Sequence, residues 1–246
     1  MELITFKIIL VLALFLLALT IAAYSTWAER KVAAVMQDRI GPSKAGPFGL
    51  LQPLADGGKF FFKEDFTPAN AEKFLFILGP SLVMFISLIT GAVIPWGKSL
   101  NIGGTSFDLQ VANIDVGVLY IIGMASIGVY GIMIGGWASN NKYSLIGAIR
   151  ASSQMISYEL AMGLALLSII MMSGSLDLKV ITESQATGKL WGLISLDGMN
   201  WNIFYQPLAF LIFIIAALAE TNRHPFDLPE CESELVTGYS TEYSSM

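Results

Sequence analysis

A carboxyl group inside an apolar run is the first feature of this 246-residue chain that calls for chemistry. Glu159 lies in Ser157-Tyr158-Glu159-Leu160, with Arg150 nine residues before it. A carboxylate at the centre of a membrane helix costs about 2.5 to 3.5 kcal/mol on insertion scales, and less near the interface. Two things can offset that cost: structural pairing with an arginine or nearby backbone, or use of the acid as a protonatable relay group. Retention of an acid at apolar depth favours the relay.

The densest constellation follows the last apolar run: Glu220, Arg223, Asp227, Glu230, Glu232, Glu234 and Glu242, with Pro225 and Pro229 interrupting any helix. If the stretch from Glu230 is extended, its three glutamates share one side about 7 Å apart. If it is helical, Glu230 and Glu234 share a face and Glu232 points away. Two carboxylates about 6 Å apart repel by roughly 2.8 kcal/mol at an effective dielectric near 20, about two pKa units, so such acids titrate as a coupled set. That suits a path for protons. The plainer alternative is a solvated acidic tail. Phe226, Leu228, Leu235, Val236 and Tyr239, interleaved with the acids, speak for a partly buried segment instead.

A third group sits after the first apolar run, where Arg30, Lys31, Arg39, Lys44, Lys59, Lys63 and Lys73 concentrate positive charge. Arg39-Ile40-Gly41-Pro42, Gly46-Pro47, Gly49 and Pro53 exclude a regular helix at the start of this stretch. From Leu51, however, Leu51, Leu54, Gly58 and Phe61 recur at helical spacing, while Gln52, Asp56, Lys59 and Lys63 line another face. This predicts a short amphipathic helix whose Phe60, Phe61 and Phe62 suit the boundary between headgroups and acyl chains. It is either a surface helix packed on the other spans or a doorway for a substrate that partitions into lipid.

These residues need spanning helices to hold them. With 54% hydrophobic residues, 13% charged residues and a mean hydropathy of +0.65, the chain has more apolar surface than one soluble core could bury. The apolar residues come in runs of roughly 17 to 23, the length of a membrane helix, and barrel-like alternation is absent. The expected fold class is all-α: a polytopic transmembrane helix bundle with an amphipathic interfacial helix in the first cytoplasmic loop. Residues 1–246 form one membrane domain, with spans at about 7–27, 74–96, 116–138, 155–173 and 203–219 and inner loops at 28–73, 139–154 and 220–246. The opening run is a retained helix and not a signal peptide, because its flank carries Glu2 and Lys7 and no small-residue cleavage site precedes Glu29-Arg30-Lys31.

The concentration of lysine and arginine on the inner loops places those loops in the cytoplasm and the N-terminus outside. The connectors at 97–114 and 174–202 read as simple linkers. Gly131-Ile132-Met133-Ile134-Gly135 is a GxxxG match, for which packing within the chain is the better explanation. The net charge of −5 does not suit nucleic acid. One cysteine, Cys231, excludes a disulfide framework, and one histidine, His224, leaves no Cys/His metal cluster within this chain.

Several long motifs in order resemble the membrane-embedded H subunit, also called subunit 1, of respiratory complex I, the NADH:quinone oxidoreductase. They are Ala28-Glu29-Arg30-Lys31-Val32, Gln37-Asp38-Arg39-Ile40-Gly41-Pro42, Leu51-Gln52-Pro53-Leu54-Ala55-Asp56-Gly57, Gly136-Trp137-Ala138-Ser139-Asn140-Asn141-Lys142-Tyr143, Ile156-Ser157-Tyr158-Glu159, and the Ala219 to Glu234 segment closed by Glu242-Tyr243. The resemblance implies a protein that takes quinone as substrate and binds no flavin, iron-sulfur cluster or metal itself. Glu29, Arg30, Arg39, Asp56, Lys59 and Lys63 carry over as quinone chamber and entrance residues. Glu159, Glu220, Asp227, Glu230, Glu232 and Glu234 carry over as the proton-relay and coupling set, with Arg150 and Arg223 as counter-charges.

Implied partners are the quinone-site subunits of the hydrophilic arm, neighbouring small membrane subunits and the bilayer, with NADH oxidised by other subunits. The implied location is the bacterial inner membrane or an equivalent energy-transducing membrane. The family carries further spanning helices after Glu242-Tyr243, so a C-terminally incomplete chain is expected. Two alternatives stand beside this: the homologous subunit of a membrane-bound hydrogenase, and a cation transporter or channel built on Glu159 and the acidic segment.

Overall fold

The computed structural model describes residues 2–64, 66–102, 105–186, 201–222, 225–226 and 237–243. Contacts group the chain into two compact units, Met1–Phe66 with Tyr243–Met246, and Thr67–Glu242.

The first unit opens with α1, Glu2–Met36, which continues well past the expected end at Trp27. Ala28 to Met36 contains mostly good helix formers, so the helix outlasts the apolar run that marked it. A short 3-10 turn, Pro47–Gly49, follows. Gly49 has φ +77, and a side chain there would strike the Pro42 carbonyl, so this turn requires glycine. Helix α2, Gln52–Phe62, starts with proline in its first turn, where no backbone N–H is missed. Phe61 and Phe62 are 83% and 93% exposed, the aromatic edge expected of an interfacial helix.

In the second unit, α3 is Lys73–Thr90, α4 Gly117–Ala138 and α5 Lys142–Ser173, followed by α6, Leu178–Ala186, α7, Asn202–Tyr205, and α8, Pro207–Glu220. A 3-10 turn, Gly238–Ser240, lies near the end of the described chain. Helices α3, α4, α5 and α8 pack in that order, each on the next, and the 3-10 turn sits against α5 and α4. The GxxxG glycines serve the first of these crossings. A Cβ on Gly79 of α3 would lie 2.9 Å from the Gly131 carbonyl oxygen and from the Gly135 Cα of α4. Two backbones therefore meet where side chains are missing, and the expectation of packing within the chain is correct. Val129, Ile132, Ala148, Ala151 and Met155 form the buried core between α4 and α5, with Tyr239 packed against it.

Four of the described helices, α1 from Ile4, α3, α4 and α5, are long and apolar enough to cross a membrane. The all-α polytopic fold class is thus correct. Helix α5 begins at Lys142, far before Met155, because Ser144, Ser152 and Gln154 are polar yet buried against neighbouring chain. Apolarity alone could not announce that turn of helix. At the other end, the fifth expected run is broken. The residue before Pro207 is biased away from helix, Gln206 adopts φ −131 and ψ 58, and α7 stops there before α8 restarts.

The 97–114 connector is more ordered than a simple linker. It contains an antiparallel pair, β1 Ser99–Ile102 with β2 Thr105–Asp108, in register Ser99 with Asp108 and Leu100 with Phe107. The buried Gln110 side chain donates to the Val93 carbonyl at 2.8 Å, and Lys179 pairs with Asp108 at 3.1 Å.

Candidate functional site

Two sets of polar side chains stand out, one in each unit. In the first, α1 and α2 bring together Arg30, Asp56 and Lys59. Arg30 Nη1 donates to Asp56 Oδ2 at 2.6 Å, Gln52 Nε2 to Asp56 Oδ1 at 2.9 Å, and Lys59 Nζ stands 3.4 Å from the same oxygen. The i, i+4 and i, i+3 spacings from Gln52 to Asp56 and from Asp56 to Lys59 put all three on one face of α2. The Arg30 hydrogen bond holds the Asp56 carboxyl below the usual carboxylate range. Asp56 is therefore a fixed anion ringed by donors, and it aligns the polar face of α2 with α1.

The other residues of the expected entrance set are less concentrated. Glu29 precedes Arg30 on α1 and is exposed. Arg39 lies past the end of α1, where Nε donates to Gln37 Oε1 at 2.7 Å. Lys63 is the exposed residue at which α2 gives way to extended chain.

In the second unit, Glu159 projects from α5 toward α4, where the Ser126 hydroxyl donates to Glu159 Oε1. Ser126 also reaches the Ile122 carbonyl of its own helix, so the hydroxyl is held in place. Glu220, on the last turn of α8, lies within electrostatic reach of Glu159. Both acids are half-buried. Helix packing thus brings together carboxylates that are far apart in sequence, between α5 and its neighbours. Arg150 is half-buried on α5, two to three turns before Glu159.

Around the end of α8, three enclosed oxygens, Glu220 Oε2, Gln154 Oε1 and Asn222 Oδ1, meet no donor among the described residues. Gln154 and Asn222 both bond the Ala219 carbonyl, at 3.2 Å from the Gln154 amide and 3.3 Å from the Asn222 backbone N–H, which gathers these residues at one spot. Enclosed acceptors of this kind are normally met by water or by a proton on one of them. The arrangement can therefore take up and release protons.

Arg223, Asp227, Glu230, Glu232 and Glu234 lie outside the described residues, as do His224 and Cys231. Glu242, counted with the acids in sequence, has a different job. Its Oε1 accepts from Asn141 Nδ2 at 2.6 Å, while Asn141 Oδ1 caps α5 by accepting from the Tyr143 N–H at 2.9 Å. The Ser144 hydroxyl donates to the Tyr239 carbonyl at 2.9 Å, and Gly147 lets the Gly238 backbone lie directly on α5.

Sequence reasoning missed Ser126, Asn141 and Gln154. A serine among the glycines of α4 gives no signal, because its partner lies on another helix. Gln154 could have been noticed, since it stands one helical turn before Tyr158 and next to the apolar run. Among the described residues, no group of three or more His, Cys, Asp or Glu side chains could hold a metal ion.

The sequence profile of the family described as NADH dehydrogenase matches residues 8–246. The chain is 61% identical over 240 residues to the NADH-quinone oxidoreductase H subunit 1 of Cytophaga hutchinsonii, covering 98% of this chain and 67% of that protein. It is 57% identical over 240 residues to the NADH-quinone oxidoreductase H subunit of Flavobacterium johnsoniae, covering 98% and 65%. To the corresponding H subunit of Thermomicrobium roseum it is 53% identical over 226 residues, covering 92% and 66%. The chain spans about two thirds of the length of these curated relatives.

Proposed function

This chain belongs to the NADH dehydrogenase family, and on that premise we propose that it is the quinone-chamber and proton-relay subunit of a proton-translocating NADH:quinone oxidoreductase. Its relatives are named as subunits of such an enzyme, so NADH oxidation belongs to partner subunits of the hydrophilic arm. Small membrane subunits flank the chain in an energy-transducing membrane such as the bacterial inner membrane. The long basic loop faces the cytoplasm, and the N-terminus faces outward.

The observation that carries the proposal is the meeting of Glu159 with Ser126 and Glu220 among helices long enough to span a bilayer. Reduction of a quinone to a quinol takes up two electrons and two protons, so the local charge changes with each turnover. A carboxyl held by a hydroxyl and facing a second carboxyl responds to such a change by exchanging a proton, and its neighbours in the acidic segment pass the change on. Glu159, Glu220, Asp227, Glu230, Glu232 and Glu234 form this relay, with Arg150 and Arg223 as counter-charges.

Glu29, Arg30, Arg39, Asp56, Lys59 and Lys63 frame the quinone entrance. The exposed aromatic edge of α2 supports this role, since a lipid-soluble quinone reaches its site through the headgroup boundary. No metal or flavin role is assigned to the chain. The relatives' names favour the quinone enzyme over a hydrogenase subunit or a transporter acting alone.

Two measurements test the proposal. Affinity purification from the native membrane is expected to bring down subunits that oxidise NADH. A photoreactive quinone is expected to label the Arg39 to Lys63 stretch in the assembled complex. Isolation as a lone oligomer, or labelling confined to the 97–114 and 174–202 connectors, rejects it.

A further inference from the structure

Glutamine is an unusual side chain to bury on an apolar helix, and Gln154 of α5 is 9% exposed. Its Nε2 donates to two carbonyls, that of Ala219 at 3.2 Å and that of Phe226 at 2.9 Å. Both partners are pure acceptors, so only the nitrogen end of the amide can face them, and the orientation of the group is settled by chemistry. One bond reaches the last turn of α8, beside Glu220. The other reaches the chain beyond Pro225, immediately before Asp227.

Four residues further along α5, on the same face, Tyr158 meets the ring of Phe226 edge to face with centroids 5.0 Å apart. Phe226 is therefore held twice, by its backbone through Gln154 and by its ring through Tyr158. Tyr158 is also the immediate neighbour of Glu159. The same turn of α5 that carries the relay carboxyl grips both the end of α8 and the start of the acidic segment.

We infer that Gln154 and Tyr158 are positioning residues of the proton relay, forming a clamp on Phe226 that sets the register of the acidic segment and of Glu220 against Glu159. The inference rests on the relay assignment made above. Neither residue exchanges protons in this scheme. Gln154 acts through the carbonyls it holds, and Tyr158 acts through its ring, so the phenol oxygen is dispensable.

The assembled complex provides the test. Gln154→Met keeps length and volume but cannot donate, while Tyr158→Leu removes the ring and Tyr158→Phe keeps it. Quinone-linked NADH oxidation with a short-chain quinone is divided by NADH oxidation with ferricyanide, which counts assembled complexes. Losing two hydrogen bonds lowers the clamped population on the order of tenfold. The normalised rate of Gln154→Met is expected to fall accordingly and its pH profile to move from that of the wild type. Tyr158→Leu follows, and Tyr158→Phe keeps the wild-type rate.

A purely structural role lowers both rates together, and a wild-type normalised rate and pH profile in Gln154→Met and Tyr158→Leu overturns the clamp. If Gln154→Met does not assemble, Tyr158→Leu against Tyr158→Phe decides alone. Glu159→Gln measured alongside separates the two levels. Loss of quinone-linked rate there, with Gln154→Met and Tyr158→Leu intact, rejects only the clamp. A wild-type rate in Glu159→Gln rejects the relay and the clamp with it.

Discussion

Asp56→Ala removes the acceptor that joins α2 to α1, and its effect can be sized from the geometry. Arg30 Nη1 lies 2.6 Å from Asp56 Oδ2, which puts the charge centres roughly 4 Å apart and their attraction near 4 kcal/mol at an effective dielectric of about 20. Water screens much of this, because the Arg30 side chain is 54% exposed and that of Asp56 25%. Exposed pairs retain about 0 to 1 kcal/mol. The Gln52 hydrogen bond at 2.9 Å adds about 1 kcal/mol, for a total of about 1 to 2 kcal/mol. Amide hydrogen exchange over residues 52–62, measured on the complex in lipid nanodiscs, is expected to lose protection about fivefold to thirtyfold.

The pH dependence follows from the lowered Asp56 carboxyl. A group of depressed pKa contributes stability above its unfolded value, about 3.9, and loses it as the pH falls through the lower folded value. The difference between wild type and Asp56→Ala is therefore expected to stay constant from about pH 9 down to about pH 5 and to shrink only in stronger acid. Equal protection in the two proteins, or a difference that fades between neutrality and pH 5, would refute the anchoring role of Asp56.

Three further outcomes are expected. Gly79→Ala forces a methyl to 2.9 Å from the backbone of α4 and should destabilise the α3–α4 crossing by about 1 to 3 kcal/mol, read as a lower thermal midpoint of the complex; an unchanged midpoint contradicts the close crossing. Ser126→Ala combined with Glu159→Gln should slow quinone-linked turnover no further than Glu159→Gln alone, since the hydroxyl acts through that carboxyl, and strict additivity would separate the two residues. Asn141→Ala should lose about 1 kcal/mol of capping and release Glu242, while Asn141→Asp keeps the cap but sets a carboxylate against Glu242, so thermal stability of both variants should fall below wild type.

Much of the fold was legible because a bilayer imposes length and apolarity on whole segments. The runs at α3 and α4 announce themselves in that way, and so does the amphipathic face of α2. Helix α5 was only half visible, since Ser144, Ser152 and Gln154 become buried through contacts with distant parts of the chain. The break at Gln206–Pro207 could be foreseen from proline chemistry, but the apolar residues on both sides disguised it.

The site divides in the same manner. Glu159 was conspicuous because a carboxyl in an apolar run has no local excuse. Its partner Ser126 was hidden, since the hydrogen bond depends on how α4 packs on α5 and not on spacing within either helix. Glu242 looked like another member of the acidic set, and only its contact with Asn141 reveals a tether.

The most direct measurement of the central claim is the redox-triggered infrared difference spectrum of the assembled complex in the carboxyl stretching region, compared between wild type and Glu159→Gln. Reduction of bound quinone is expected to produce a carboxyl protonation band in the wild type that disappears in the variant. An identical band in both proteins would mean that Glu159 exchanges no proton during quinone reduction, and the relay built around it would have to be abandoned.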